Sequence, residues 1–161
     1  MVADALGRID IGFVAPFDRG MSRILVAVSS PQASERVVEP VADLAKRLDA
    51  EVLVVHVSRP TAATGGGGGG DRGDVGGQAV RPLGEKIRAR GVAVQTLLMF
   101  SDDVAQAILS TSIERNATLI LLGLTGKSVF ARLIAGNVPV ELIRETRIPV
   151  MLLPPDFRGT V

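Results

Sequence analysis

Five short apolar runs recur along the chain: Ile24–Val28 (ILVAV), Glu51–Val57 (EVLVVHV), Val92–Phe100 (VAVQTLLMF), Thr118–Leu124 (TLILLGL) and Ile148–Leu153 (IPVMLL). They are too continuous for strands with one wet face, and their β-branched content predicts strands buried on both faces. Between them the period changes. After Ser34, a candidate cap, Val37, Val38, Val41, Leu44, Ala45 and Leu48 recur at helical spacing up to about Asp49. Val80 to Arg90 has a weaker helical pattern. Ser101 is expected to cap a third helix, with Asp102 and Asp103 in its first turn, where the helix dipole favours them, and with Val104, Ile108 and Ile113 on the buried side. Asn137 to Glu145 predicts a short fourth helix. Strands that alternate with helices need crossovers, which are right-handed, so the expected fold is α/β: a doubly wound, open, five-stranded parallel sheet with helices on both faces.

Two segments fall outside this pattern. Residues 1–20 have mixed polarity and no sustained period, and read as an N-terminal extension that either packs on the domain or has no structural role. Residues 58–78 contain six consecutive glycines, Gly65 to Gly70, and no hydrophobic period, as expected of a flexible surface linker. A phosphate cradle would instead join a strand directly to a helix, with each glycine serving a particular backbone angle. The domain is expected over 21–155, with a tail at 156–161.

Composition narrows the class of function. A chain of 161 residues that is 47% apolar can build one domain with a sizeable core. Its 18 basic and 17 acidic side chains nearly cancel, so neither nucleic acid nor a membrane surface is expected as a partner. No apolar stretch approaches the roughly 20 residues that span a bilayer, and the first residues lack the basic and apolar regions of a signal peptide. With no cysteine, disulfides, thiol nucleophiles and cysteine zinc sites are excluded, and a reducing cytoplasmic location is expected. The single histidine, His56, lies within an apolar strand run and is expected to be structural.

In an open parallel sheet, ligands bind beyond the carboxyl ends of the strands, where the winding direction reverses. The segment after the fourth run holds Gly123, Gly126 and Gly136-Asn137, the last pair at a predicted helix start. Glycines allow close backbone approach and positive φ, and a helix start adds the positive end of a dipole, so phosphate oxygens suit this segment.

Gly-x-x-Gly, nine residues, then Gly and a small polar residue resembles the nucleotide motif of the ATP-binding universal stress proteins. The text around it is similar too: ILVAV, then SERVVEPVADLAKRLDAEVLVVHV, SDDVAQAIL and the closing RIPVMLL. The resemblance covers about residues 22–154. It implies the strand order 3-2-1-4-5, an architecture similar to that of adenine nucleotide alpha hydrolases, and an ATP or AMP ligand in a stress-response or signalling module. By position, Gly123, Gly126, Gly136 and Asn137 would hold phosphates and ribose, Val138 would add a backbone contact, and Val28, Ser29, Ser30 and Val57 would line the base. The resemblance also implies a homodimer through the last strand, whose apolar edge at Val150 to Leu153 needs covering.

Two positions depart from that pattern. Ser29 stands where ATP-holding members have aspartate, and Asn137 where they have serine or threonine. A hydroxyl is a poorer magnesium ligand than a carboxylate, so magnesium is expected to matter less and hydrolysis to be slow or absent. The alternative is a nucleotide-free dimeric module of the same fold that binds a protein partner. A P-loop needs its first glycine where Leu121 stands, and a receiver domain needs acidic residues where Ser29 and Ser30 stand, so both are excluded.

Overall fold

The computed structural model describes residues 8–10, 22–28, 31–58, 72–123, 138–154 and 157. In chain order the elements are β1 (Arg8–Asp10), β2 (Ser22–Ala27), α1 (Pro31–Arg47), β3 (Ala50–Ser58), α2 (Arg72–Arg88), β4 (Val94–Phe100), α3 (Val104–Glu114), β5 (Leu119–Gly123), α4 (Val138–Glu145) and β6 (Val150–Leu153). The sheet order is β1-β4-β3-β2-β5-β6. Its five parallel strands, β4-β3-β2-β5-β6, run in the expected order 3-2-1-4-5 of the apolar runs.

Alternation along the strands divides the interior into two cores. Ile24, Val26, Val28, Val52, Val54 and Leu121 face the layer of α1 and α2, which contributes Val37, Val41, Val80, Leu83 and Ile87. Leu25, Leu53, Val55, Leu97, Met99, Ile120 and Leu122 face the other way, against Ala105, Ile108 and Leu109 of α3 and Leu142 of α4. Ile24, Leu25 and Val26 are all completely buried. Each such side chain stabilises the fold by about 1.5–3 kcal/mol relative to exposure.

Short returns from helix to strand depend on three residues in the left-handed region: Asp49 after α1, Gly91 after α2 and Asn116 after α3. Each donates its N–H to a carbonyl of the preceding turn, those of Lys46, Arg88 and Ile113. This ends the helices without a long loop. At the amino edge of the sheet Arg23 is buried, donating from Nη2 to Glu51 Oε2 at 3.2 Å, while Thr118 Oγ1 accepts from the Arg23 N–H at 2.9 Å. The end of α2 is fastened to α1 by Arg90, whose Nε donates to Glu39 Oε2 at 3.0 Å; this hydrogen bond holds the guanidinium above its ordinary pKa.

Of the two alternatives for the extension, residues 8–10 follow the one in which it packs on the domain: Arg8, Ile9 and Asp10 pair antiparallel with Met99, Leu98 and Leu97 on the outer edge of β4. Other expectations require correction. Helix α2 starts at Arg72, inside the segment expected to be a linker. Val80, Leu83 and Ile87 anchor it, and propagation carries it back through glycines that show no hydrophobic period. Helix α1 starts at Pro31, ahead of Ser34, because proline needs no N–H partner in a first turn. Asp103, not Ser101, caps α3, accepting from Gln106 N–H at 2.9 Å, while Ser101 Oγ pairs locally with the Asp103 backbone. Leu48 and Ile113, assigned to buried faces, are exposed. Leu48 lies beyond the last turn of α1, and Ile113, in the last turn of α3, is turned about 140° from Ile108 and falls at the margin of the buried face.

Helix α2 crosses the sheet at Gly84, where an added Cβ would lie 2.5 Å from Cγ2 of the buried Thr96. Alanine raises helix propensity by about 1 kcal/mol, but overpacking against a rigid β-branched side chain costs about 1–3 kcal/mol. Gly84→Ala should therefore lower the urea midpoint with an unchanged slope, and Thr96→Ser, which removes that methyl, should reverse the sign of the effect. A destabilisation that is the same in both backgrounds would place its cause elsewhere.

Candidate functional site

β2 and β5 are adjacent although the chain passes through β3 and β4 between them, so connections leave β2 on one side and β5 on the other. Their carboxyl ends lie together, with Ala27 opposite Leu122 and with Val28 and Gly123 each one residue further along. On its other edge Ala27 is paired with Val55, and the Val28 N–H donates to the Val55 carbonyl at 3.0 Å. Gly123 is the last paired residue of β5, opposite Leu153 of β6. Carbonyl-terminal strand ends and the starts of the following helices thus meet at one end of the sheet. Val104 and Val138 begin α3 and α4 there.

The residues expected to form the site separate into three groups. Ser29, Ser30, Gly126, Gly136 and Asn137 lie outside the described residues. Gly123, Val57 and Val138 are half-buried at the carboxyl end, and Val57 and Val138 pack against the core on the α3 and α4 side. Val28 differs from Val57: it is 4% exposed and its side chain belongs to the opposite core, under α1 and α2. The two valines were expected to share one lining, but their side chains point to opposite faces of the sheet. The side chain that joins Val57 on its face is Ala27, also half-buried and packed against the same core. Strand alternation from Leu25 carries the signal for this, since positions 25 and 27 share a face.

Small apolar side chains at these ends (Ala27, Val57, Val104 and Val138) leave a partly accessible apolar surface on the α3 and α4 face, and Gly123 ends the neighbouring strand β5 without a side chain. Such a surface suits a flat aromatic ring, and a glycine beside it allows close approach of a backbone or ligand. His56, expected to be structural, is 9% exposed, and its Nδ1 lies 2.8 Å from the carbonyl oxygen of Val28. Among the described residues, no group of three or more His, Asp or Glu side chains is placed to hold a metal ion. Nor is any helix among them long and apolar enough to cross a membrane.

An open, mostly parallel sheet whose order reverses between β2 and β5, with helices on both faces, defines a doubly wound α/β domain. Residues 21–154 match the universal stress protein family. The chain belongs to that family. It is 32% identical over 123 residues to the sensor protein KdpD of Mycobacterium tuberculosis strain H37Rv; the match covers 76% of this chain but only 13% of that protein's length. Among solved structures, a universal stress protein in complex with cAMP superposes with a TM-score of 0.64 at 18% identity, covering 84% of this chain and 98% of that one. The universal stress protein from Archaeoglobus fulgidus in complex with dAMP gives 0.59 at 21% identity, covering 82% and 96%. At these identities the solved structures establish the fold.

Proposed function

We propose that this universal stress protein is an adenine-nucleotide-binding module for stress response or signalling, taking ATP or AMP at the carboxyl ends of β2 and β5 and turning it over slowly or not at all. The observation that carries this reading is the position of Gly123. It opens the Gly-x-x-Gly, nine-residue, Gly-Asn segment, and it stands at the end of the strand beside the switch point. In this reading the half-buried Ala27, Val57 and Val138 receive the base, and Gly126, Gly136 and Asn137 hold phosphates and ribose. Relatives of the same fold with cAMP and dAMP bound support an adenine ligand. These residues fit a purine, because small apolar side chains and a glycine surround the strand ends. Magnesium is secondary, since Ser29 offers a hydroxyl where a carboxylate would bind the metal. Slow turnover follows from the same chemistry: no cysteine is present and the single histidine is hydrogen-bonded to the backbone.

The proposal includes a homodimer through β6, within a cytoplasmic protein. Val150, Met151 and Leu152 are half-buried on a strand whose described pairing is with β5 alone, and an apolar edge of this kind is a template for another strand. A two-fold pairing would cover it. Sedimentation at tens of micromolar should give a dimer; a monomer at that concentration contradicts the edge assignment.

A ligand that binds only the folded state at 100 times its Kd adds about 2.7 kcal/mol, or on the order of 5–10 °C for a domain of this size. ATP or AMP should raise the melting temperature by that order. Gly126→Val should abolish the rise while the far-UV circular dichroism is kept, because a β-branched side chain blocks close approach and disfavours positive φ. No shift at millimolar concentrations of any adenine nucleotide would sink the proposal. For the metal, the parent chain should bind nearly as well in chelator, whereas Ser29→Asp should make affinity depend on magnesium. Loss of binding by the parent in chelator would show that another ligand holds a required ion.

A further inference from the structure

The hydrogen bond between His56 and Val28 lies where the backbone ladder of the two central strands stops. The last paired residues of β2 and β3 are Ala27 and Val55, and one further backbone bond runs from Val28 N–H to the Val55 carbonyl. Beyond it, the Val28 carbonyl meets the imidazole Nδ1 at 2.8 Å. A carbonyl oxygen can only accept, so Nδ1 carries the proton and donates. The bond is short for N–H···O and almost excluded from water, with Val28 4% and His56 9% exposed. A side chain thereby extends the connection between β2 and β3 one residue past the ladder, at Val28, the residue that follows β2 on the way to the proposed pocket.

We infer that His56 is a positioning residue of the nucleotide site: its Nδ1–H fixes the Val28 carbonyl and so sets the direction in which the backbone leaves β2 toward the ligand. The inference rests on the nucleotide-binding reading above. Direction matters at this point because peptide units are planar, so fixing the carbonyl leaves few orientations for the backbone that follows. Without the imidazole donor, ordering that backbone falls to the ligand, and the cost appears as weaker binding. His56 needs no contact with the nucleotide to act in this way.

His56 is the only histidine, so its ring signals are unambiguous in the full-length protein. Two-bond ¹H–¹⁵N spectra of the neutral ring should show the Nδ1–H tautomer; the Nε2–H tautomer would overturn the inference, since two lone pairs would then face each other. AMP affinity by calorimetry supplies the second arm, measured well below each variant's melting temperature and at full stoichiometry. His56→Asn, which keeps an N–H donor near the Nδ1 position, should bind within about threefold of the parent. His56→Leu and His56→Gln, which lack a donor there, should bind about tenfold more weakly, as expected for the loss of one buried hydrogen bond. Should His56→Leu fail to fold, His56→Gln carries the comparison. Equal affinity in the parent and the donor-less variants overturns the positioning role alone, whatever happens to their melting temperatures. If the parent binds neither AMP nor, in the same calorimetry, ATP, the nucleotide reading is overturned and this inference with it; if it binds ATP alone, the same comparison of variants is read with ATP.

Discussion

β2 has a parallel neighbour on each edge and a helical layer on each face, and this double enclosure is the constraint on which the rest of the structure depends. Ile24, Leu25 and Val26 lose all contact with water, so no residue of the run can be polar without leaving a buried group in need of a partner. Parallel neighbours cannot be joined by hairpins. The chain therefore returns through α1 to place β3 on one side, and later through α3 to place β5 on the other. From that single fact come the split of the interior into two cores and the separation of connections at the carboxyl end of β2.

The same enclosure shapes what the carboxyl end can offer. Strand alternation puts Val28 under α1 and α2 and Ala27 under α3 and α4, so among the described residues the half-buried Ala27, Val57, Val104 and Val138 share one face at the strand ends. Those side chains are small, and Gly123, which ends β5 beside them in the sheet, has none. The opposite end of the sheet is closed differently, by Arg23 between Glu51 and the segment around Thr118, a polar clasp far from the strand ends that face the proposed ligand.

The five parallel strands and their order were legible because runs such as ILVAV and EVLVVHV can only be strands buried on both faces, and because the glycine spacing after the fourth run carried the resemblance that fixed the order. Three features were not legible, each for a physical reason. Arg8–Asp10 is a three-residue edge strand held by the backbone of β4, and backbone pairing of that length leaves no side-chain period. The first turns of α2 run through Gly73, Gly76 and Gly77, whose low propensity is overridden by the packing of Val80, Leu83 and Ile87 further along. Capping by Asp103 in place of Ser101 turns on a two-residue offset, since both types cap well and only the position of the first helical turn chooses between them. At the site, position alone grouped Val28 with Val57, and only the pleat assigns them to opposite faces.

In the proposed complex an adenine nucleotide sits where β2 and β5 end, on the face shared by Ala27, Val57 and Val138. Backbone amide shifts recorded while AMP is titrated into the uniformly ¹⁵N-labelled protein test this most directly. The largest changes should fall on Ala27, Val28, Val57, Gly123 and Val138, while Arg23, Glu51 and Thr118 at the far end of the sheet should stay still. Shifts centred on that far end, or spread evenly over the surface without saturation, would contradict it.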